Sequence, residues 1–279
     1  MRVPFAFVQT IFIILGFLAA DGTDFLKLIS AIIILGPTLI YGGIYIINDI
    51  VDLQFDILHP KKKVRPLITG DLDVNSAGNL AVILLIVGFL AAFLLNRTFF
   101  IFSLLILFNN LMYSIFPRLK DNIYSGMISC SINYSLRFLA GASLVRIDWN
   151  ILLLAILFFA IAMIGFISYR IYDMKTSENE HYIVNEKNLL LLARIFIFIS
   201  FIMILAISVV RNNLNLISIL FSFYLVVFSE LNLNISRKGA DFFKLLRIWR
   251  TYRLQRNLIY YPIMAYILMI LAIYFVIGI

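Results

Sequence analysis

Apolar runs of roughly twenty residues, separated by short polar stretches, recur along the whole chain. Segments at 3–20, 25–47, 79–96, 98–117, 122–145, 150–169, 188–210, 213–230 and 257–279 are each close to the length that crosses a bilayer as a helix. The pattern predicts an all-α polytopic membrane protein of about nine transmembrane helices, with 1–279 read as a single domain. Gly36-Pro37 and Gly42-Gly43, both inside the second segment, predict a kink or a close helix contact there.

Composition agrees with the pattern. Of 279 residues, 63% are hydrophobic and 14% charged, and the mean hydropathy of +1.01 excludes an ordinary soluble domain. The opening Met1-Arg2-Val3-Pro4 imitates a signal peptide, but no small-residue cleavage pattern follows, so it is read as the start of the first span. Cys130 is the single cysteine, which excludes a disulfide framework or a thiolate metal cage within one chain.

The formal net charge of +8 points to topology and anionic headgroups rather than to nucleic acid. If nine spans alternate across the membrane, 17 of the 23 Lys and Arg residues fall on one side and 4 on the other, while Arg137 and Arg194 lie within spans. That asymmetry predicts a cytoplasmic N-terminus, a C-terminus on the opposite side and a plasma-membrane location. The longer loops, at about 48–78, 170–187 and 231–256, share the basic side, so the functional face is expected there.

Two of those loops carry carboxylates at the end of a span, where charge is costly unless it is used. In the first, "NDIVDLQFDILHPKKKVRP", Asn48, Asp52 and Asp56 are spaced i, i+4, i+8 and Asp49 follows Asn48 directly. On a helix these four fall within about 100° of arc, a face of hard oxygen donors suited to Mg²⁺. A solvated helix end is the alternative, although no Lys or Arg lies between Asn48 and Asp56 to pair with them. His59-Pro60 should then break the helix, and Lys61, Lys62, Lys63 and Arg65 supply cations suited to phosphate, or simply mark the cytoplasmic side. In the second loop, "YRIYDMKTSENEH", Asp173 and Glu180 lie about 20° apart on a helical wheel, and Glu178 falls off that face. His59 and His181 lack partners at metal-ligand spacing.

These residues resemble the UbiA superfamily of intramembrane prenyltransferases. Asn48-Asp49-x-x-Asp52-x-x-x-Asp56 followed by "RPLITGDL" is similar to the first aspartate-rich motif. "MYSIFPRLK", with Tyr113, Ser114 and Lys120, is similar to the family's Tyr-Ser…Leu-Lys segment. Asp173, Glu178 and Glu180 resemble the second acidic motif, with glutamates where the family usually carries aspartates. The resemblance implies a Mg²⁺-dependent transfer of a prenyl group from a prenyl diphosphate to an aromatic or lipid acceptor. It makes Asp52, Asp56 and Asp173 the catalytic carboxylates and Asn48, Asp49, Asp52, Asp56, Asp173, Glu178 and Glu180 the metal ligands. Arg65, Lys120, Arg137 and Arg170 are candidate contacts to diphosphate or phosphate, and Tyr113 and Asn133 candidate cavity residues.

"HPKKKVRP" is also similar to the branch that joins phosphoribosyl diphosphate to a polyprenyl phosphate, and this reading is kept as the alternative substrate pair. An ion-coupled transporter is a second alternative, disfavoured because the acidic groups cluster on one face rather than at midplane. Among intramembrane charges, Arg137 in "NYSLRFLAG" is read as functional, with Asn133 one turn earlier sharing its cavity, and Arg194 as snorkelling to the interface. The 26 Phe and 14 Tyr provide ample aromatic lining for a carbocation. Residues 241–256, with apolar and basic positions interleaved, predict an amphipathic helix on an anionic membrane surface.

Overall fold

The structure, a computed structural model, describes residues 3–57, 65–176, 185–210 and 216–238. Every regular element among them is helical. The helices are α1 (Val3–Ala19), α2 (Phe25–Leu35), α3 (Ile40–Val51), α4 (Leu53–Asp56), α5 (Pro66–Thr69), α6 (Val74–Leu95), α7 (Arg97–Ser114), α8 (Ile123–Ala142), α9 (Trp149–Thr176), α10 (Glu186–Val210) and α11 (Leu216–Lys238), with a 3-10 turn at Leu119–Asp121. Eight of the nine predicted spans fall on these helices; the ninth, 257–279, and the predicted surface helix 241–256 lie outside the described residues. Five stretches of the described chain are long and apolar enough to cross a membrane, α2 and α3 counting as one stretch.

The polar positions between apolar runs are the residues that start the helices. Asp24, Asp73, Asn96 and Asn122 precede α2, α6, α7 and α8, and each accepts hydrogen bonds from backbone amides of the first turn. Asp148 accepts from the Ile151 amide at 2.9 Å and Asn185 from that of Lys187 at 2.9 Å, doing the same for α9 and α10. A helix leaves its first four N–H groups without partners, and these short oxygen-bearing side chains satisfy some of them where the chain enters the bilayer. Replacing such a cap by alanine typically costs about 1 kcal/mol.

The described helices form two compact units, Met1–Ile151 and Leu152–Ile279. In the first, packing depends on small residues. A Cβ added at Gly16 would lie 1.8 Å from the carbonyl oxygen of Phe138, and one at Gly141 would lie 1.9 Å from that of Ile13. The α1 and α8 backbones are thus in direct contact at this crossing, as helices meet where lipid gives no hydrophobic drive to association. α6 buries Ala77, Ala81, Gly88 and Ala92 while exposing Leu80, Val82, Ile83, Ile86, Val87, Leu90, Phe93 and Leu94. Small side chains inward and large ones outward invert the pattern of a water-soluble helix and suit a hydrocarbon solvent. Gly43 of α3 sits against Ala81 and Leu85, and Gly88 against Ile40, which locks α3 onto α6.

In the second unit, α9 is largely buried, with Ile151, Leu154, Phe158, Ile161, Ile164 and Ile167 all at 2% exposure or less. Phe159 meets Phe196 of α10 edge to face at 5.8 Å, and Phe201 of α10 meets Phe223 of α11 at 5.7 Å. Arg194 does not simply snorkel as expected. Its Nε donates to Glu230 of α11 at 3.2 Å, because a neighbouring helix offers a carboxylate at the same depth. Arg237 pairs likewise with Glu186 at 3.1 Å.

Two expectations follow. Gly141→Val should force α1 and α8 apart and cost about 1–3 kcal/mol or more of stability, read as a lowered thermal midpoint of the purified protein. Gly78→Ala, where an added Cβ meets nothing within 4 Å, should leave the midpoint unchanged or slightly raised. Hydrogen bonds from the Ser76 hydroxyl and from the Ser76 and Asn75 amides hold the Asp73 carboxyl below its ordinary value of 3.8. The stability from this cap is present above that value and is lost as the pH falls through the lower native one. Asp73→Asn, which keeps an accepting oxygen, should therefore flatten the dependence of the thermal midpoint on pH as the pH falls below about 4.

Candidate functional site

The first acidic stretch is less continuous than its spacing predicts. α3 ends at Val51, Asp52 takes φ −87° and ψ −2°, and a short α4 closes at Asp56. The i to i+4 bonding nonetheless runs through the break, since the Asp52 amide donates to Asn48 O at 3.0 Å and the Asp56 amide to Asp52 O at 2.9 Å. Asn48, Asp49, Asp52 and Asp56 consequently stay together, and divide into two pairs.

Asp49 and Asp56, seven residues apart and about 20° apart on a helix, meet the same atom. Arg65 Nη1 lies 2.9 Å from Asp49 Oδ1 and also contacts Asp56 Oδ2. Arg65 is placed for this by its position just ahead of α5, with extended φ −76° and ψ 139° before Pro66. Asp56 is only 1% exposed, so its charge is matched inside the protein rather than by water. Gly70, at φ 81°, ends α5 in a left-handed conformation that glycine adopts without strain.

Asn48 and Asp52 face the end of α7 and the 3-10 turn that follows it instead. Ser114 donates to Asn48 Oδ1 at 2.7 Å. Lys120, on the 3-10 turn, donates to Asp52 Oδ1, and Arg118 Nη2 lies 3.7 Å from the same oxygen. Arg118, in a left-handed backbone conformation at φ 62°, also pairs with Asp121 at 3.1 Å and covers the Phe55 ring at 4.4 Å.

Arg118 was not expected from the sequence to touch Asp52, nor Ser114 to touch Asn48. Arg118 lies two residues before Lys120 in "MYSIFPRLK", so the same segment held the signal. The absence of cations between Asn48 and Asp56 was a local fact only; their partners come from 9 to 68 residues away in the chain.

The remaining described candidates lie on α7, α8 and α9. Tyr113 is half-buried on the last turn of α7. Asn133 accepts from Asn110 Nδ2 at 3.3 Å rather than joining Arg137 at a cavity, since α7 presents an amide at its level. Arg137 donates to the Tyr41 hydroxyl, and Tyr41 is seven residues before Asn48 on α3, roughly 10 Å deeper along the axis. In the second unit, Arg170 lies beside the Tyr169 ring and Asp173 is half-buried on α9. Glu178, Glu180, His59, His181 and Lys61 to Lys63 lie outside the described residues.

Among the described residues no three His, Cys, Asp or Glu side chains come together in a group that could hold a metal ion. Two carboxylates do converge on one point, at Arg65 Nη1, and carboxylate and amide oxygens are the donors that Mg²⁺ takes. The donor chemistry fits that ion.

The family comparison decides what this arrangement belongs to. Residues 10–251 match the model of the UbiA prenyltransferase family. The chain belongs to that family. Digeranylgeranylglyceryl phosphate synthase of Sulfurisphaera tokodaii is 39% identical over 80 residues, covering 29% of this chain and 27% of the relative. The synthase of Saccharolobus solfataricus is 28% identical over 122 residues, covering 44% and 41%. The matched stretches span less than half of either relative. Among solved structures, one concerned with digeranylgeranylglyceryl phosphate synthase in membranes superposes with a TM-score of 0.71 at 17% identity, over 95% of this chain and 94% of that one. A UbiA homologue of Archaeoglobus fulgidus bound to GPP and Mg²⁺ gives 0.63 at 16% identity, over 96% and 95%. These likenesses establish an all-helical UbiA fold and, with the family, an integral multi-pass membrane protein.

The Arg65 bridge can be tested as a coupling. Arg65→Gln strands a buried carboxylate and should lower the thermal midpoint, while Arg65→Gln with Asp56→Asn should recover part of the loss. A double-mutant cycle on unfolding free energy is expected to give about 1–3 kcal/mol of coupling; strict additivity would show that the contact is not energetically significant.

Proposed function

We propose that the protein is a Mg²⁺-dependent intramembrane prenyltransferase. The observation that carries the reading is the interleaving of Asp49, Asp52 and Asp56 with Arg65, Lys120 and Arg118 in one cluster. A metal diphosphate presents cations and anions together, and this cluster presents the complementary set. Asn48, Asp49, Asp52 and Asp56 would hold Mg²⁺, with Ser114 orienting Asn48. Asp173, with Glu178 and Glu180, is assigned as a second metal-binding group through its sequence resemblance. When bound, Mg²⁺ neutralises negative charge on a leaving diphosphate.

The chain's own cations do related work. Arg65 and Lys120 exchange their carboxylate partners for oxygens of the diphosphate, and Arg118 supports them. As the allylic C–O bond breaks, negative charge grows on the diphosphate, so cations aimed there stabilise the transition state more than the ground state. The carbocation is then taken by an acceptor hydroxyl, which releases its proton to water. Because two sequence relatives are named as digeranylgeranylglyceryl phosphate synthases, the favoured acceptor is a lipid alcohol carrying a glycerol phosphate. The bias of basic residues sets this face in the cytoplasm, and the whole chain acts as one catalytic domain.

The test uses purified full-length protein in nanodiscs with geranylgeranyl diphosphate and a panel of acceptors: glycerol-phosphate lipids, aromatic acids and quinone precursors. Diphosphate release with formation of a prenylated product is expected, lost on chelation, and reduced at least 100-fold in Asp52→Asn and in Lys120→Met. A parallel assay with phosphoribosyl diphosphate and a polyprenyl phosphate should yield no sugar-linked lipid. Prenyl transfer that survives chelation and both substitutions would overturn the assignment.

A further inference from the structure

On α10, Arg194, Phe198 and Phe201 are spaced i, i+4, i+7, and on α11 Phe223, Val226 and Glu230 are spaced i, i+3, i+7. Each set makes one stripe along its helix. The helices run antiparallel, since Arg194 pairs with Glu230, Phe201 meets Phe223 and Arg237 pairs with Glu186. The stripes therefore lie side by side with both charges at one end, and together they line a groove of about 360 Å³. From Arg194 to Phe201 it runs two turns, about 10 Å. The groove has a charged head and an apolar floor.

This groove opens outward. Phe198 and Phe223 are 63% and 56% exposed, and the side chains of Arg194 and Glu230 are 62% and 34% exposed. α10 is long and apolar enough to cross a membrane, so a surface this open on it meets lipid. Charged residues within spans almost always turn to the protein interior or to a water-filled cavity. An ion pair turned outward needs polar partners that lipid can bring. Arg194 Nε donates to Glu230 Oε1 at 3.2 Å, and among the described residues neither group pairs with a third. A guanidinium has five N–H donors and a carboxylate about four acceptor sites, so both keep capacity for a ligand. Depth is suitable as well. Arg194 is about 12 Å from the start of α10 at Glu186. α10 is about 37 Å long against a hydrocarbon core of about 30 Å, and helical side chains lean toward the N-terminus. The guanidinium therefore reaches back toward the head groups.

The signs select the head group. A purely anionic one would be drawn to Arg194 and repelled by Glu230 beside it. A head group with a phosphate and a primary ammonium extends the pair: the phosphate accepts from the Arg194 Nη groups, the ammonium donates to Glu230 Oε2, and no charge is left unmatched. A quaternary ammonium has no hydrogen to donate. We propose that the α10–α11 groove holds one zwitterionic amino-phospholipid, its head group on Arg194 and Glu230 and a stretch of one chain over Phe198, Phe201, Phe223 and Val226. The volume is of the size that ligand sites have. The lipid fastens α10 to α11 along their membrane side, and the site stands independently of the transferase reading.

Full-length protein in nanodiscs of equal parts phosphatidylethanolamine, phosphatidylcholine and phosphatidylglycerol, read by native mass spectrometry, should retain one phosphatidylethanolamine in about fivefold or greater excess over either other lipid. Glu230→Gln separates the head groups by sign: retention of phosphatidylethanolamine should fall by about fivefold or more, and that of phosphatidylglycerol should rise. Arg194→Gln with Glu230→Gln strands neither charge, which protects folding, and should bring the three lipids to equal retention. Equal retention by the wild type would mean ordinary annular lipid. A wild-type preference for phosphatidylglycerol that Glu230→Gln strengthens would mean an anionic site, and a phosphatidylethanolamine preference that survives the double substitution would place the lipid elsewhere. Each of these three results would overturn the proposal.

Discussion

Asp56 is a carboxylate at the end of an apolar span with almost no exposed surface, and Arg65 makes that position tenable. A single guanidinium nitrogen placed between Asp56 and Asp49 puts a positive charge beside the buried carboxylate, while Asp49 keeps part of its surface in contact with solvent. The positions of the other charged side chains follow from it. With Asp49 and Asp56 committed to Arg65, Asn48 and Asp52 are left to face the end of α7 and the 3-10 turn after it, where Ser114, Arg118 and Lys120 meet them. The acidic face is thus pinned from two directions by cations that arrive on separate segments.

That pinning has meaning only if the helices approach closely and reproducibly, and glycine provides for it. Gly16 and Gly141 let the α1 and α8 backbones touch, and Gly43 and Gly88 seat α3 on α6. Side chains of ordinary size at these positions would separate the helices by ångströms, which is the margin between an ion pair and an interaction through solvent. In lipid there is little gain from burying one more leucine. The packing surfaces therefore contain alanine and glycine, and the leucines and phenylalanines of α6 face outward.

Much of the fold was legible in the sequence because a span is specified by length and apolarity, both of which are local. The helix starts were equally legible in retrospect, since Asp73, Asn96 and Asn122 each interrupt an apolar run and then cap the next helix. The break near Gly36-Pro37 followed from backbone chemistry alone. The i, i+4, i+8 spacing of Asn48, Asp52 and Asp56 also corresponds to the backbone bonding from Asp52 to Asn48 and from Asp56 to Asp52. It could not show their division into two pairs, because that depends on Arg65, Arg118 and Lys120, whose approach is tertiary. The partner of Arg194 was hidden for the same reason: Glu230 is 36 residues away on another helix.

The buried charges of the first unit have two different solutions. At the end of α3 each carboxylate has a cation beside it, an arrangement in which partners can be exchanged when a charged ligand enters. Deeper in the same unit Arg137 has aromatic rings, one phenolic oxygen and a helix terminus of like polarity. Such a set offers no internal partner to exchange. A cation in that position shapes the surrounding field permanently, and α3 carries the consequence from Tyr41 to Asn48. The acidic face is thereby held at one end by ion pairs that can open and at the other by a charge that has nowhere to go.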